Sequence, residues 1–513
     1  MQIKLLLVTA RRVTFEVENF GIWYANEPYE VYLNGTRKSS SNRTVHTVGG
    51  LKPETDYELI IRTENQEAAI TLCTLGESVT LDVRRFGARG DGICDDTLAI
   101  QTAIMACPPK GRVWIPEGEY LIRSLFLKSG LTLELARGAT LKGDPDPEKL
   151  ALLPGMVQGY GGEYNFGTWE GNPLDTYVSL LTGIGVEDVV ICGEGTIDGG
   201  STMENWWNGG ETRTKFGPGW RPRMVFLNRC KNVTLQGIEV KNSPSWNIHP
   251  YFSEDIRLLD LRIESPDNSP NTDGINPEST KRVEIAGVYI SVGDDCVAIK
   301  SGKYALGQVY QVRTEDIEIR QCYMHRGHGS VTLGSEIAMG VRNLLVRDCI
   351  FHDTDRGFRV KTRRGRGRDA VIDNIRLERI QMRGVYTPFV INCYYWCCDP
   401  DGRSEYVRSK DPLPIDARTP ELGRFVFRNI QATDAHVAAG FIYGLPEAKI
   451  QSVDMQSVHI SFAEEAKCDY PAMMADVEPC SKRGLFIRNV IDLNLQDVQI
   501  KGQLGLPLDV EPE

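Results

Sequence analysis

The sequence predicts an all-β protein in which a small N-terminal β-sandwich precedes a long parallel β-helix. Three observations support this prediction: short segments that alternate apolar and polar residues, 50 glycines among 513 residues, and a repeat with a period in the twenties. Hydrophobic residues make up 41% of the chain and charged residues 25%, which is ordinary for a folded globular protein and excludes wholesale disorder.

Residues 1–76 contain three strand-like segments, which begin at Val13, Tyr29 and Tyr57. A turn with Pro53 and Thr55 leads into Tyr57, which is the setting of the tyrosine corner of β-sandwiches. We therefore predict that residues 1–76 form a fibronectin type III-like module. The alternative is an irregular β-cap on the larger domain. Neither interpretation suggests chemistry.

Residues 77–513 are predicted to form the second domain. A glycine-rich turn from Phe86 to Gly92 precedes an amphipathic helical run from Leu98 to Ala106, and the acidic residues before that run mark a helix start. Turn formation and capping explain these aspartates more simply than a Ca²⁺ site does.

A repeat of the form polar, Asn or Asp, apolar, any residue, apolar begins near residue 187. Its members are Glu187-Asp-Val-Val-Ile, Lys231-Asn-Val-Thr-Leu, Glu254-Asp-Ile-Arg-Leu, Lys281-Arg-Val-Glu-Ile, Glu315-Asp-Ile-Glu-Ile, Arg342-Asn-Leu-Leu-Val, Asp373-Asn-Ile-Arg-Leu and Ile491-Asp-Leu-Asn-Leu. The first apolar residues give gaps of 44, 23, 27, 34, 27 and 31, and we interpret the first gap as two coils of 22. Such a period with variable insertions predicts a β-helix, since a propeller repeats every ~40 residues and the leucine spacing of leucine-rich repeats is missing.

Four polar clusters interrupt these coils: Asn271-Thr-Asp273, Gly293-Asp294-Asp295, Gly327-His328-Gly and Arg359-Val-Lys361. Asp294 and His328 each lie 11 residues after their own repeat anchors at 283 and 317, so they should stack on neighbouring coils about 4.8 Å apart. Capping aspartates, or a solvated rim formed by the seven basic residues between 356 and 368, could explain any one cluster. Their coincidence on consecutive coils favours a functional site.

The residue types suit glycoside hydrolysis. One carboxylic acid can protonate the leaving oxygen while another carboxylate activates water, and crowding raises the pKa of at least one of them. Arg359 and Lys361 could bind the carboxylate of an anionic sugar. A basic cleft on a chain of net charge −11 points to a polyanionic substrate such as galacturonate, and the acidic balance argues against a nucleic-acid-coating protein.

In their order and spacing the four clusters resemble the signature motifs of the polygalacturonase family (glycoside hydrolase family 28), and the likeness covers residues 80–500. It includes Gly193-Glu-Gly-Thr-Ile-Asp-Gly, Asn242-Ser-Pro-Ser-Trp-Asn-Ile-His249-Pro and Lys300-Ser-Gly. The resemblance implies a right-handed, pectate-lyase-like β-helix that hydrolyses α-1,4-galacturonide links with inversion, without metal or cofactor. It implies Asp294 as general acid, Asp273 and Asp295 as water-activating residues, and His328 as a modulator of the acid.

The same resemblance implies that Arg359 and Lys361 bind the galacturonate carboxylate, together with a tyrosine about thirty residues later. Tyr395 is our choice, with adjacent Tyr394 as the alternative. Gly334-Ser-Glu336 extends the His328 motif in the manner of bacterial exo-acting members. Insertions at Asp144–Pro173 and Asp399–Pro420 and the N-terminal module also favour an exo-polygalacturonase that attacks the non-reducing end.

Several alternatives stay open. A rhamnogalacturonan or xylogalacturonan hydrolase could use the same fold, and a Ca²⁺-dependent pectate lyase or a non-catalytic glycan-binding β-helix is less favoured.

The sequence shows no signal peptide and no membrane-spanning run, so we expect a cytoplasmic bacterial enzyme without membrane partners. The thirteen cysteines are odd in number and scattered, as expected of free thiols, and Cys393, Cys397 and Cys398 lack the second pair that a zinc site needs.

Overall fold

The computed structural model describes residues 1–159, 162–207, 219–397 and 403–510. Cys398 and the start of the insertion at Asp399 lie outside these residues. In the described ranges, no helix combines the length and the apolar character needed to cross a bilayer.

The N-terminal region is a β-sandwich of a three-stranded antiparallel sheet, in the order β1-β2-β5, and a four-stranded one, in the order β4-β3-β6-β7. The hydroxyl of Tyr57 accepts a hydrogen bond from the backbone N–H of Lys52 at 3.0 Å, which is the tyrosine-corner contact that the turn sequence predicted. The strands are β1 Gln2–Val8, β2 Arg12–Glu18, β3 Tyr24–Leu33, β4 Thr36–Arg43, β5 Val45–Gly49, β6 Asp56–Arg62 and β7 Glu67–Cys73. Membership of the fibronectin type III family stays a prediction.

The remainder of the chain is a right-handed parallel β-helix, as predicted. Its elements up to the middle of the chain are β8 Thr80–Asp82, β9 Asp91–Asp95, α1 Thr97–Ala106, β10 Gly111–Ile115, β11 Gly118–Ile122, β12 Leu125–Phe126, β13 Leu131–Leu135, β14 Ala139–Gly143, β15 Leu152–Leu153, β16 Met156–Gly159, β17 Gly162–Asn165, β18 Thr176–Tyr177, β19 Leu181–Ile184, β20 Glu187–Gly193, β21 Thr196–Asp198, β22 Val225–Asn228, β23 Lys231–Gln236, β24 Glu239–Lys241, β25 Ile248–Tyr251, β26 Glu254–Leu259 and β27 Arg262–Glu264.

The later elements are β28 Lys281–Ala286, β29 Tyr289–Ser291, β30 Val297–Ile299, α2 Tyr304–Tyr310, β31 Thr314–Arg320, β32 Tyr323–His325, β33 Val331–Gly334, β34 Val341–His352, β35 Arg356–Lys361, β36 Val371–Arg383, β37 Thr387–Asn392, α3 Glu405–Arg408, β38 Glu421–Leu422, β39 Arg424–Ala435, β40 Ala438–Tyr443, β41 Ile450–Phe462, β42 Arg483–Arg488, β43 Val490–Lys501 and β44 Leu508–Val510.

The coils present three faces. The first face contains β20, β23, β26, β28 and β31, the second contains β21, β24, β27, β29 and β32, and β34 begins a series of long strands that span both. The third face runs from β12 to β25 and from β30 to β44, and single bridges through Ile275 join its two parts. Inward-facing Val, Ile, Leu and Phe side chains of all three faces form one continuous core, and α1 packs Ile100 and Ile104 against its N-terminal end.

The strand registers confirm the repeat read from the sequence. Val189, Val233, Ile256, Val283, Ile317, Leu344 and Ile375 pair in succession on the first face. The interpretation of the first gap as two coils of 22 is wrong, because β20 pairs directly with β23 and the extra residues form an insertion. Two further coils, at Phe425 and Val453, precede Leu493.

The polar residue before each anchor has a backbone role. Asp188, Asn232, Asp255, Asp316 and Asn343 all have φ between 51° and 60°, in the left-handed region that Asn and Asp tolerate better than most residues. Their side chains also hydrogen-bond between coils, as from Asn343 to Asp316 at 2.8 Å. The repeat therefore marks a residue with left-handed backbone near the start of the first-face strands, directly before each anchor.

The sandwich docks along the edge between the first and second faces. Arg320 is fully buried and pairs with Glu16 of the sandwich at 3.0 Å, and buried Arg12 pairs with Glu134 at 3.0 Å. Leu6 and Val45 pack against apolar residues of the β-helix. The third face, on which the polar clusters lie, remains uncovered by the sandwich.

Candidate active site

The polar clusters converge on the third face, where the turns that follow the second face meet the third-face strands. Ile275 bridges to Val297 and the N–H of Gly274 donates to the carbonyl of Asp295, so Asp273 lies beside Asp295 on the neighbouring coil. The N–H of His328 donates to the carbonyl of Asp294 at 3.2 Å. The stacking of Asp294 and His328 that the 11-residue offsets predicted is therefore confirmed.

Asp273, Asp294 and Asp295 each place a carboxylate oxygen within 4.8 Å of the others. Asp273 and Asp295 are 3% and 1% exposed, whereas Asp294 is half-buried. The accessible carboxylate therefore lies next to two buried ones, and the three differ in what surrounds them.

Asp295 is held by cations. Its two oxygens accept from Lys361 Nζ at 2.6 Å, from Arg359 at 3.4 Å and from the Thr332 hydroxyl at 2.9 Å. Burial opposes ionisation of this carboxyl, but Lys361 and Arg359 outweigh burial and hold its pKa well below the usual range. Asp295 is therefore ionised at neutral pH.

Asp273 has the opposite environment. Its Oδ2 accepts from Asn276 Nδ2 at 2.8 Å, and no cation pairs with it among the described residues. Burial, and then the negative charge of Asp294, raise the pKa of Asp273 to about 8. The cluster therefore retains a proton at neutral pH while Asp295 is ionised, and such a separation is typical of acid–base pairs in active sites.

Strand alternation in β35 explains the Arg-x-Lys motif. Phe358 and Val360 point into the core, so Arg359 and Lys361 point out into the cleft. The interpretation of the basic residues between 356 and 368 as a solvated rim is wrong. Arg359 is 2% and Lys361 8% exposed, and among these basic residues only Arg368 has a well-exposed side chain, at 74%. The buried Nη2 of Arg359 has no hydrogen-bond partner in the described part of the chain, so it offers a donor to a ligand.

His328 lies at the rim, with 55% of its side chain exposed, and its Nδ1 is 2.7 Å from Asp355 Oδ2. This hydrogen bond raises the pKa of His328. The glycine after it is required by space, because a Cβ at Gly329 would lie 2.8 Å from the nearer oxygen of Asp295. The Gly-His-Gly sequence thus lets one coil pass closely over the carboxylate of the previous coil.

The structure brings Tyr395 to the cluster and leaves Tyr394 in the core. Lys361 Nζ lies 5.9 Å from the centre of the Tyr395 ring, and Tyr395 N–H donates to the carbonyl of Thr362. Tyr394 is 1% exposed and its hydroxyl donates to the carbonyl of Gly444. Of the two candidates, Tyr395 is therefore the one that a ligand at Lys361 could meet.

A buried ion pair and a buried hydrogen-bonded pair lie beside these residues. Lys300 pairs with Glu336 at 2.8 Å, and His249 Nε2 lies 3.0 Å from Glu278 Oε2 with both side chains fully buried. Glu278 and Lys300 face each other on adjacent coils, which places both pairs next to Asp273 and Lys361. The motif segments with His249, Lys300 and Glu336 therefore support the site from within.

A tryptophan layer borders the site on the N-terminal side. Trp169, from the insertion at 144–173, stacks on Trp220 with 4.9 Å between ring centres, and the buried Arg223 lies over Trp169. Arg221 donates to the side chain of Asn271 at 2.5 Å. On the other side, a cavity of about 510 Å³ is lined by His328, Arg359, Trp396, Tyr470 and Met473.

Three functional candidates were missed in the sequence. Asp355 lies 11 residues after the anchor Leu344, so the offset that identified Asp294 and His328 would have found it. Arg221 and Arg223 flank a proline in an insertion that lacks the repeat, and no periodic signal marks them.

The three aspartates are also the set that could hold a metal ion at this site. Lys361 and Arg359 already neutralise Asp295 and would repel a divalent cation there. The site therefore suits proton transfer better than metal binding.

Comparison with known proteins identifies relatives of this architecture. Residues 159–475 match the family model described as "Glycosyl hydrolases family 28", and residues 80–165 match "Rhamnogalacturonase A/epimerase, pectate lyase-like". A "Probable polygalacturonase" from Vitis vinifera is 30% identical over 406 residues, which are 77% of this chain and 77% of that protein.

Two solved structures extend the comparison. A hyperthermoactive exopolygalacturonase from Thermotoga maritima is 28% identical with a TM-score of 0.63, and the match covers 81% of this chain and 91% of that one. A family 28 exopolygalacturonase from Yersinia enterocolitica has a TM-score of 0.71 at 19% identity and covers 99% of this chain and 98% of that one. The shared fold with the latter thus includes the N-terminal sandwich.

Proposed function

The chain belongs to glycosyl hydrolases family 28, and from this premise we propose that it is an exo-acting, inverting polygalacturonase that removes galacturonate from the non-reducing end of galacturonan. The observation that carries the proposal is the group of three carboxylates in unequal environments, beside two buried cations that face the same cleft.

Asp294 is the general acid. It is the accessible member of the cluster, and the Asp295 N–H holds its Oδ1 at 2.9 Å, which leaves Oδ2 for the glycosidic oxygen. An oxygen of Asp273, which retains a proton at neutral pH, lies within 4.8 Å of an oxygen of Asp294, so Asp273 can pass that proton to Asp294. Proton delivery to the leaving oxygen breaks the glycosidic bond as the sugar gains oxocarbenium character.

Asp295 positions and deprotonates the attacking water, with Asp273 as its neighbour. Asp295 is ionised because Lys361 and Arg359 hold it, whereas Asp273 carries a proton at neutral pH. The structure therefore favours Asp295 over Asp273 as the base. A carboxylate oxygen of Asp295 lies within 4.8 Å of one of Asp294. The two carboxyl groups of inverting enzymes are commonly ~6.5–9.5 Å apart, so we propose inversion from the family resemblance and not from this distance.

The galacturonate carboxylate binds at Arg359 and Lys361, with the sugar against Tyr395. Arg359 Nη2 is the unpaired donor, and the guanidinium matches a carboxylate fork. A lyase would use a neutral Arg or Lys side chain as its base, whereas Arg359 and Lys361 both form ion pairs with Asp295. Their charges argue for an acidic sugar at this subsite and against a lyase.

The exo mode is proposed from the segments that build up the ends of the cleft. The insertion with Trp169 packs tightly on the coil of Lys303, since a Cβ at Gly171 would lie 2.7 Å from the Lys303 nitrogen. The cavity of about 510 Å³ beside His328 is the size of a pocket for a small ligand. A chain end fits such a bounded cleft better than a continuous polymer does.

The test is a time course on a defined oligogalacturonide, with products separated by chromatography and their anomers followed by NMR. We expect only monomer from the first minutes, released as the β-anomer, and a slow fall of polygalacturonate viscosity relative to reducing-end formation. A ladder of oligomers or a rapid viscosity drop would show endo action, and the α-anomer would show retention.

Two controls separate the alternatives. Ultraviolet absorption by unsaturated products, abolished by EDTA, would indicate a lyase. Failure on homogalacturonan with cleavage of rhamnogalacturonan or xylogalacturonan would assign the site to those polymers. Binding without cleavage of any of them would leave only the glycan-binding alternative.

A further inference from the structure

A second cluster of titratable side chains lies where the second face ends. His325 ends β32 and His352 ends β34, and the two residues are paired in register on adjacent coils. Asp353 follows His352 directly. The side chains of His325, His352 and Asp353 are 23%, 29% and 54% exposed, so the cluster is open to solvent.

The three side chains are spaced as ligands of one ion. The Nε2 atoms of His325 and His352 lie 3.9 and 3.5 Å from the same oxygen, Oδ2 of Asp353, and one ligand atom from each residue lies within 4.8 Å of the others. These separations exceed the ~2.7–3.2 Å of an N–H···O hydrogen bond. Ligands bound tetrahedrally at ~2.0–2.1 Å are about 3.4 Å apart, which is close to what is observed.

Both imidazoles are held from behind by tyrosines. The Nδ1 atoms of His325 and His352 lie 3.2 and 2.6 Å from the hydroxyls of Tyr289 and Tyr323. When Nδ1 carries the proton and donates it to the tyrosine oxygen, the lone pair of Nε2 faces Asp353. An outer hydrogen bond of this kind orients metal-binding histidines in proteins.

The N-terminal sandwich completes this support. Trp23 packs on Tyr323 and Tyr289 with 5.8 and 6.5 Å between ring centres, and the two tyrosine rings stack at 5.6 Å. Arg383 is paired with His352 in register but has Asp434 as its own partner at 3.8 Å.

We propose that His325, His352 and Asp353 form a binding site for a transition-metal ion of the Zn²⁺ type. Two imidazoles and one carboxylate are ligands that such ions accept, and solvent would supply the fourth position. The bound ion would join two adjacent coils. The turn that begins at His325 leads to His328, and the turn that begins at His352 leads to Asp355. It would therefore brace the coils under the catalytic cleft from outside, with Tyr289, Tyr323 and Trp23 as its support.

The experiment titrates the metal-stripped full-length protein with Zn²⁺ by calorimetry and with Co²⁺ by visible absorption, after alkylation of the exposed thiols. We expect one equivalent of Zn²⁺, a Co²⁺ spectrum without thiolate charge-transfer bands, and a rise in the unfolding temperature with Zn²⁺. His352→Gln and Asp353→Asn should each lose this equivalent. His459→Gln is the matched control and should retain it, since His459 is partly exposed and pairs with Asp497 but has no second histidine.

A Tyr323→Phe variant tests the support by the tyrosines. We expect Zn²⁺ affinity to fall about 10–100-fold, as is typical when such an outer partner is removed. The proposal is overturned if the wild-type protein takes up no equivalent of Zn²⁺, if His352→Gln binds as well as His459→Gln, or if Co²⁺ is bound through thiolate. An unchanged Zn²⁺ affinity in Tyr323→Phe would show that the tyrosines do not support the metal-binding histidines.

Discussion

The first and third faces of the β-helix carry the same kinds of charged residues with different consequences. On the first face Lys281 pairs with Glu315 at 2.9 Å, and the two side chains are 39% and 25% exposed. On the third face Lys361 pairs with Asp295 at 2.6 Å, with side chains 10% and 1% exposed. Water screens the first pair, whereas the second pair fixes the protonation state of a carboxyl group.

This difference shows why only one charged face is a candidate for catalysis. The ladder geometry is shared, because both faces stack equivalent positions of successive coils. Burial raises the pKa of both Asp273 and Asp295, and the buried cations Lys361 and Arg359 reverse this shift at Asp295 alone. Substitutions on the two faces should therefore differ in their effects on activity and on pH dependence.

Asp294→Asn should reduce kcat by about 10²–10⁴-fold, because an amide cannot deliver the proton. Reducing-end assays measure the loss, and calorimetry should show nearly unchanged substrate affinity and folding. Asp316→Asn is the matched control on the exposed first face and should keep full activity. If Asp294→Asn keeps more than about a tenth of kcat, another carboxylate is the acid.

Lys361→Met should reduce kcat/KM on oligogalacturonides by about 10–150-fold, which corresponds to the loss of one charged hydrogen bond of ~1.5–3 kcal/mol. It should also move the acidic limb of the pH–activity profile to higher pH. The sign follows because Lys361 holds the pKa of Asp295 down, so without it Asp295 is protonated at higher pH. Arg359→Ala should show the same direction. If both variants keep the wild-type KM and the wild-type acidic limb of the pH–activity profile, Lys361 and Arg359 lie outside the site.

Asp273→Asn should abolish the pH dependence of stability that this buried carboxyl causes. The folded pKa of about 8 lies above an unfolded value of ~3.9, so its stabilising contribution is full below pH ~3.9 and is lost as pH rises to about 8. The variant should therefore melt a few degrees above wild type at pH 8 and equally at pH 4 in thermal unfolding. A variant that is less stable at pH 8 would show that Asp273 is ionised in the folded protein.

Lys281→Met should change almost nothing, since exposed ion pairs contribute about 0.2–1 kcal/mol. We expect kcat, KM and both limbs of the pH profile to equal those of wild type, with a small change in urea unfolding. This variant makes the same substitution as Lys361→Met on the other face. A comparable loss of activity would end the distinction between the two faces.

Much of the site could be predicted because the β-helix converts spacing into position. The offset of 11 residues placed Asp294 and His328 together, and it would also have given Asp355. The offset failed at insertions: the 44-residue gap before Val233 holds no extra coil, and it contains Arg221 and Arg223, which approach the site without any periodic signal. Spacing also could not choose between Tyr394 and Tyr395, which are adjacent in the sequence just after β37 and have different surroundings in the fold.

Local backbone geometry and a repeated register are written in the sequence, so the coils, the left-handed residue before each anchor and the face on which the motifs meet could be predicted. The folded structure was needed to show which aspartate is protonated, which cations are buried, and that two histidines and an aspartate meet behind the cleft. These properties depend on solvent exclusion and on distances between coils, which are set by side chains far apart in the chain.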